Sequence, residues 1–261
     1  MNRYFNTYIQ LIKLNIATIL MYRTNFINDV VASIGWGLLT VVSTLLLTRN
    51  VTSVFGWTGP EILFLVAWFN ITAGVFHLFF SRNFERMGQV IHKGELDLIL
   101  LKPLNSQFLL SSWIMSLHSI IRVIIGVILT LFIIYFYHLP VTWGSFFSGI
   151  PFMLFGVAIL YAVWFMAMTI CVWNSQLSNI VNLLYSLNTL LKYPIEAYRE
   201  MNIIIFMIVL PYALLVSTPT KIILGRWNMF ELVGMMVISV CMVWASHLFW
   251  NFALRSYTSA S

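Results

Sequence analysis

Long uncharged stretches dominate this sequence and constrain its fold more than any other feature. Residues 30–48, 62–80 and 148–172 contain no Asp, Glu, Lys or Arg. A helix of about 20 apolar residues crosses the hydrocarbon core of a bilayer. Charged residues make up only 8 % of the chain, against roughly 25 % in soluble proteins. The sequence therefore predicts an integral membrane protein and excludes a large soluble domain.

The apolar runs predict an all-α protein with six transmembrane helices and two further membrane segments. Residues 3–24 place apolar side chains at helical spacing opposite polar ones, which indicates an amphipathic helix in the membrane interface; the alternative is that they begin the first span. Residues 203–218 are too short to cross comfortably and are split by Pro211, which predicts a re-entrant segment shielded by protein. The predicted spans are residues 30–48, 62–80, 108–137, 148–172, 177–193 and 230–254.

The basic residues predict the orientation of these spans. In the six-span arrangement one side receives eight Lys and Arg residues and the other five. Because positive charge is retained on the cytoplasmic side, both termini and the charged connection 81–106 are expected to be cytoplasmic. We therefore expect a multi-pass protein of the cell's inner membrane.

The sequence lacks the motifs of several function classes. It has no G-x-x-x-x-G-K-[ST] phosphate loop, no H-E-x-x-H zinc helix and no G-x-S-x-G nucleophile elbow. The acidic residues lie at span ends or in the charged connection, where they would not couple transport to an ion gradient. We expect neither an enzyme nor a cofactor or metal site in this chain.

The charged connection carries the most information. It holds seven of the 22 charged residues. Phe84, Met87 and Ile91 recur at helical spacing beside polar residues, and Gly94 follows where a left-handed helix terminus favours glycine. The pattern predicts a short amphipathic helix, which is either a solvated loop helix or a docking element for a cytosolic motor.

Several short motifs in a fixed order resemble one protein family over nearly the whole chain. The run VIHKGELDLILLKPLNSQF at 90–108, after FSRNF at 80–84, resembles the ABC-2 type transporter permeases, and most of all their uncharacterised bacterial subfamily. Further matches are YRTNF at 22–26, KYPIEAY at 192–198, LPYALLVSTP at 210–219 and LRSYTSAS at 254–261.

This resemblance implies a transmembrane subunit of an ATP-driven transporter. Such a permease would pair with a second permease, identical or homologous, and dock on two separate ABC ATPase subunits that hold ATP and Mg²⁺. Export is the usual direction, with alternating access between the two permeases. The coupling segment to the ATPase falls on residues 82–103, with the candidate residues Arg82, Glu85, Arg86, Met87, Val90, Ile91, Gly94, Glu95, Asp97 and Pro103.

Polar residues in the fifth predicted span suggest a second functional surface. Ser178, Asn182 and Ser186 recur every four residues, with Asn179 beside them. Facing lipid would leave these groups without partners, so they either bond to other helices or line a pathway or the subunit interface. Arg122 is a formal charge within the third span, and it either snorkels, pairs across helices or meets an anionic substrate.

Two other classes of function remain open from the sequence. A motor-independent pore or secondary carrier would explain the polar fifth span but not the motifs of the charged connection. A membrane scaffold without transport would leave the polar stripe purely structural. Association with an ATPase separates the permease hypothesis from both alternatives.

Overall fold

Helices make up most of the chain in its computed structural model, which describes residues 2–48, 53–174, 179–198 and 202–257. A two-residue hairpin, β1 (Ser53–Val54) and β2 (Trp57–Thr58), precedes the third helix. The α-helices are α1 (Asn2–Met21), α2 (Arg23–Thr48), α3 (Gly59–Phe76), α4 (Arg82–His92), α5 (Leu96–Leu100), α6 (Ser106–Ser112), α7 (Ser119–Phe136), α8 (Trp143–Thr169), α9 (Ile180–Asn188), α10 (Ile203–Ile223) and α11 (Met229–Arg255).

Polar side chains mark where several helices begin. Asn105, Thr142 and Asn228 stand just before α6, α8 and α11 in extended conformations. Each side-chain oxygen accepts a hydrogen bond from a backbone N–H in the first turn, at 3.1, 3.2 and 2.9 Å respectively. These bonds satisfy donors that have no partner within the helix.

Within the part of the chain that the structure describes, five helical stretches are long and apolar enough to cross a membrane, which confirms the predicted all-α, multi-pass class. They are Arg23–Leu46, Gly59–His92, Ser119–Phe136, Trp143–Val172 and Met229–Arg255.

The predicted span 177–193 is not among these five stretches. Its described part forms α9, of nine residues, followed by a 3₁₀ turn at Thr189–Lys192. Tyr193 is extended because it precedes Pro194, so the 3₁₀ turn ends at Lys192.

Helices α8 and α11 run in the same direction through the bundle. Gly156 of α8 lies against Met235 of α11, and Phe165, further along α8, packs on Trp250, further along α11. Between these two helices the chain must therefore run back once in the opposite direction.

Helix α10 supplies that reversal. Gly149 contacts Ile223 near the end of α10, whereas Gly156 contacts Leu215 earlier in α10, so α10 is antiparallel to α8. It is one helix of 21 residues that continues through Pro211, so the predicted break at this proline is wrong. Neighbouring helices allow such prolines inside a membrane helix. The re-entrant assignment of 203–218 stays a prediction.

Glycines bring α3 and α7 into close contact. A Cβ at Gly74 would lie 2.7 Å from Val123, and one at Gly126 would lie 2.7 Å from Ile71. Small residues allow helices in membranes to approach closely. This packing fixes the antiparallel α3 and α7 as two walls of the cavity described below.

The helix α3 does not end at the predicted boundary of the second span. It continues through a π-helical turn, His77–Ser81, directly into α4. The predicted coupling helix is thus the last part of one long rod.

The third predicted span, 108–137, is instead interrupted between α6 and α7 at residues 113–118. Two asparagines stabilise this interruption. Asn83 of α4 donates to the carbonyl of Ile114 and accepts from the Ile114 N–H, both at 2.8 Å.

Asn15 of α1 donates to the Trp113 carbonyl at 3.1 Å and accepts from the Met115 N–H at 3.2 Å. The side-chain amides of Asn83 and Asn15 thus bond to backbone N–H and carbonyl groups that have no partner within a helix. They also attach α1 to the bundle, while its position in the membrane interface stays a prediction.

Candidate functional site

The apolar face of α4 is turned into the protein. Met87 is fully buried, and Val90 and Ile91 are 6 % and 5 % exposed. Phe84 on the same face packs against Phe165 of α8, with ring centroids 5.9 Å apart. These three candidate coupling residues are therefore core residues, and only the polar face of α4 is accessible.

That polar face is connected to the rest of the protein. Arg82 and Arg86 are exposed. Glu85 accepts a hydrogen bond from the Tyr185 hydroxyl of α9. Arg86 pairs with Glu95 across the turn at 3.6 Å. The sequence-predicted charges thus hold the end of α4 against α9 and against the segment that follows.

The accessible apolar side chains of this region lie beyond the turn. Gly94 has a φ of 71°, a left-handed conformation in which it ends α4 as predicted. Leu98 and Leu101 are 64 % and 81 % exposed, while Asp97 is half-buried and Pro103 is exposed. We call residues 94–103 the leucine tip. The run LDLILLKP contains these leucines, but sequence reasoning did not select them.

A second candidate site is an open-sided cavity of about 480 Å³ lined mainly by α2, α3, α7 and residues 185–192. We call it the arginine cavity. Its lining combines apolar and cationic side chains and consists of Asp29, Ala32, Ser33, Trp36, Thr40, Phe69, Ala73, His77, His118, Ser119, Arg122, Tyr185, Asn188, Thr189 and Lys192.

Arg122 projects from α7 into this cavity. Its Nε donates to Asn70 Oδ1 of α3 at 3.4 Å, and its guanidinium lies over the Phe69 ring, 5.6 Å from the centroid. Among the residues the structure describes, no carboxylate lies within 4.0 Å of this guanidinium. Of the alternatives considered for Arg122, pairing across helices is seen as this hydrogen bond to Asn70 of α3, without a carboxylate partner among the described residues.

The other charged groups of the cavity leave it with a positive excess. Lys192 adds a second cation. The carboxylate of Asp29 lies 3.5 Å from Arg82 and 3.6 Å from the His118 ring, so its charge is matched at the cavity edge. Within the cavity Arg122 and Lys192 thus have no equivalent counter-charge among the described residues.

Asn188 adds a polar atom without a partner. Its side chain is 9 % exposed, and its Oδ1 is buried without a hydrogen bond from the described residues. Buried polar atoms are normally hydrogen-bonded. The residue lines the arginine cavity, but this oxygen is closed off from solvent.

The predicted polar stripe of α9 lies elsewhere. Asn179, Asn182 and Ser186 are exposed and do not line the arginine cavity, although they share its segment. Ser186 donates to the Asn182 carbonyl at 2.9 Å, and Ser178 lies outside the described residues. Their role in a pathway or subunit interface stays a prediction. Sequence reasoning selected Arg122 but not Lys192 or His77, because nothing in the pattern joins these distant positions.

A third group of charged residues lies at the end of the bundle opposite the leucine tip. Its members form ion pairs with one another. Lys221 contacts Glu196 at 2.6 Å and Glu231 at 2.8 Å, and Arg226 contacts Glu61 at 2.7 Å. We call these five residues the far-end cluster. Its bonds join α3, α10, α11 and the 3₁₀ turn that contains Glu196. Among the described residues, no group of His, Cys, Asp and Glu could hold a metal ion.

Comparison with known protein families identifies the chain. The family model described as ABC-2 family transporter protein matches residues 34–261. The chain belongs to the ABC-2 transporter family. None of the curated proteins compared with it matches. The resemblance inferred from the short motifs is confirmed, and this ABC-2 protein is a multi-pass membrane protein.

Proposed function

We propose that this ABC-2 protein is the permease subunit of an ATP-driven exporter. Two permeases alternate access to a pathway between them, and separate ATPase subunits bind ATP and Mg²⁺ and drive the change. The family match over residues 34–261 carries this proposal. The protein then lies in the inner membrane, and both termini and the leucine tip face the cytoplasm.

The leucine tip supports the assignment of the ATPase contact. Leu98 and Leu101 expose apolar side chains beside Lys102, and exposed apolar groups rimmed by polar residues mark protein interaction sites. The rod formed by α3 and α4 runs from the far-end cluster to this tip. A movement of the ATPase that displaces the leucine tip would therefore be transmitted along this rod to the opposite end of the bundle.

Cysteine cross-linking tests this contact. We expect Leu101→Cys to cross-link to the ABC ATPase that co-purifies with the chain, because its side chain is 81 % exposed. Met87→Cys is the matched control, since this side chain is fully buried and should react far more slowly.

The orientation and the need for a partner are tested in the same cells. Labelling of Leu101→Cys by an impermeant reagent from outside intact cells would contradict the assignment. Robust ATP hydrolysis by the purified chain without any partner would contradict the proposed division of labour.

A further inference from the structure

We propose that the arginine cavity binds an amphiphile through a single anionic phosphate or carboxylate group. This inference rests on the proposed function, because it names the class of substrate that the permease moves. The cations of the cavity and its apolar lining both point to such a ligand.

The cations favour an anionic group. Arg122 and Lys192 both line the cavity, while its carboxylate, Asp29, lies against Arg82 and His118. A charge removed from water is costly unless it is paired. Among the described residues, Arg122 donates a hydrogen bond only to a neutral amide, that of Asn70, at 3.4 Å. A bound anion would supply the missing counter-charge, and a guanidinium is suited to bind phosphate or carboxylate with two parallel hydrogen bonds.

The shape of the guanidinium site is already fixed. Asn70 is completely buried, and its amide nitrogen donates to the Val66 carbonyl of its own helix at 3.0 Å. This bond orients Asn70 Oδ1 toward Arg122, and the Phe69 ring lies beside the guanidinium. Holding a binding group in place before the ligand arrives lowers the entropic cost of binding.

The apolar part of the lining favours an apolar tail. Ala32 and Trp36 of α2 face the cavity together with Phe69 and Ala73 of α3. Trp36 is 68 % exposed, so it stands at the outer edge, where the cavity meets the apolar surface of α2. A volume of about 480 Å³ holds a headgroup, while an acyl or alkyl chain would extend along α2. A free inorganic anion would leave this apolar lining unused.

The test is binding of dodecyl phosphate to the full chain in a neutral maltoside detergent, together with any subunits that co-purify, measured by native mass spectrometry. We expect one dodecyl phosphate per chain, and at least tenfold weaker binding to Arg122→Gln or to Lys192→Gln. Arg122→Lys keeps the charge and should lose less. Lys93→Gln removes an exposed cation outside the cavity and should bind like the wild type.

Two further ligands separate the possible sources of the anion. Inorganic phosphate should bind much more weakly than dodecyl phosphate; equal binding would overturn the amphiphile and leave a site for a free anion. Dodecyltrimethylammonium should not compete with dodecyl phosphate for the cavity. If it competed as well as dodecyl phosphate itself, the site would recognise only the alkyl chain. Unchanged binding by both Arg122→Gln and Lys192→Gln would overturn the inference entirely.

This assay is independent of the ATPase. Binding that depends on Arg122, in a chain that associates with no ATPase, would support the cavity and contradict the permease function. Cross-linking of Leu101→Cys to an ATPase, with no binding in the cavity, would support the function and contradict the substrate class.

Discussion

Lys221 and Arg122 are both cations held between helices, but their surroundings differ. Lys221 is 7 % exposed and contacts the carboxylates of Glu196 and Glu231. Arg122 is half-buried and contacts the neutral amide of Asn70. Within the described structure, the first cation is paired in place and the second is not. The far-end cluster therefore holds helices together, whereas the arginine cavity keeps a cation available for a ligand.

The largest expected effect is at Lys221. Replacement by Met leaves Glu196 and Glu231 close together without their cation, and breaking a buried ion pair by removing one partner costs about 3–5 kcal/mol. We expect the free energy of unfolding in detergent to fall by about 3 kcal/mol or more, seen as a lower Tm. The triple variant Lys221→Met, Glu196→Gln, Glu231→Gln removes the uncompensated charges and should recover much of the loss. A single Lys221→Met variant as stable as wild type would break the comparison.

Lowering the pH is expected to reduce stability by less than Lys221→Met does. Burial alone would raise the pKa of Glu196, but hydrogen bonds from Lys221 and Trp57, with the charge of Lys221, hold this pKa below its ordinary value of 4.5. A carboxyl whose pKa is lowered by folding contributes stability above its unfolded value and loses it as pH falls through the folded one. We expect the Tm to fall as the pH drops below about 4.5.

Glu196→Gln is the matched variant for the acid effect. It cannot titrate, so its Tm should be lower than that of wild type at pH 7 but should depend less on pH below the ordinary value of 4.5. Identical acid profiles for the two proteins would show that Glu196 contributes nothing to the stability of the far-end cluster.

The sequence predicted the long spans but not the path between α8 and α11. Hydropathy identifies uncharged runs, whereas the stretch that forms α10 contains Pro211, Pro219 and Lys221 and therefore does not have the pattern of a helix. Its prolines are accommodated by helix packing, and its lysine by carboxylates 25 and 10 positions away in the chain (221 minus 196, and 231 minus 221). These ion pairs form between distant parts of the folded chain, so no local sequence pattern shows them.

The charged connection shows a related limit. The spacing of Phe84, Met87 and Ile91 correctly predicted a helix that ends at Gly94. An apolar helical face has the same pattern whether it packs on its own core or on a partner, so the pattern did not show that this face is buried against α8. The exposed Leu98 and Leu101 follow the turn, where no periodicity indicates their orientation.

The arginine cavity was only partly predictable. A charge within an apolar span is conspicuous in any sequence, which is why Arg122 was selected. Its neighbour Asn70 is 52 residues away, and Lys192 comes from a segment predicted to serve another surface. These residues meet because Gly74 and Gly126 allow α3 and α7 to pack closely, a consequence of the fold rather than of any local motif.

The smallest expected effect on stability is at Arg122, and it sharpens the comparison most. Arg122→Gln leaves no carboxylate unpaired among the described residues and puts at risk one hydrogen bond to Asn70, a contribution of about 1 kcal/mol. Glutamine can still donate to that amide oxygen. We therefore expect the free energy of unfolding to change by about 1 kcal/mol or less, measured in the same detergent as for Lys221→Met. A loss as large as that of Lys221→Met would mean that Arg122 stabilises the bundle, and the cavity would then be structural. A small loss together with weaker binding of dodecyl phosphate would separate the two cations by role, because the cation that is already paired stabilises the fold and the one without a carboxylate binds the ligand.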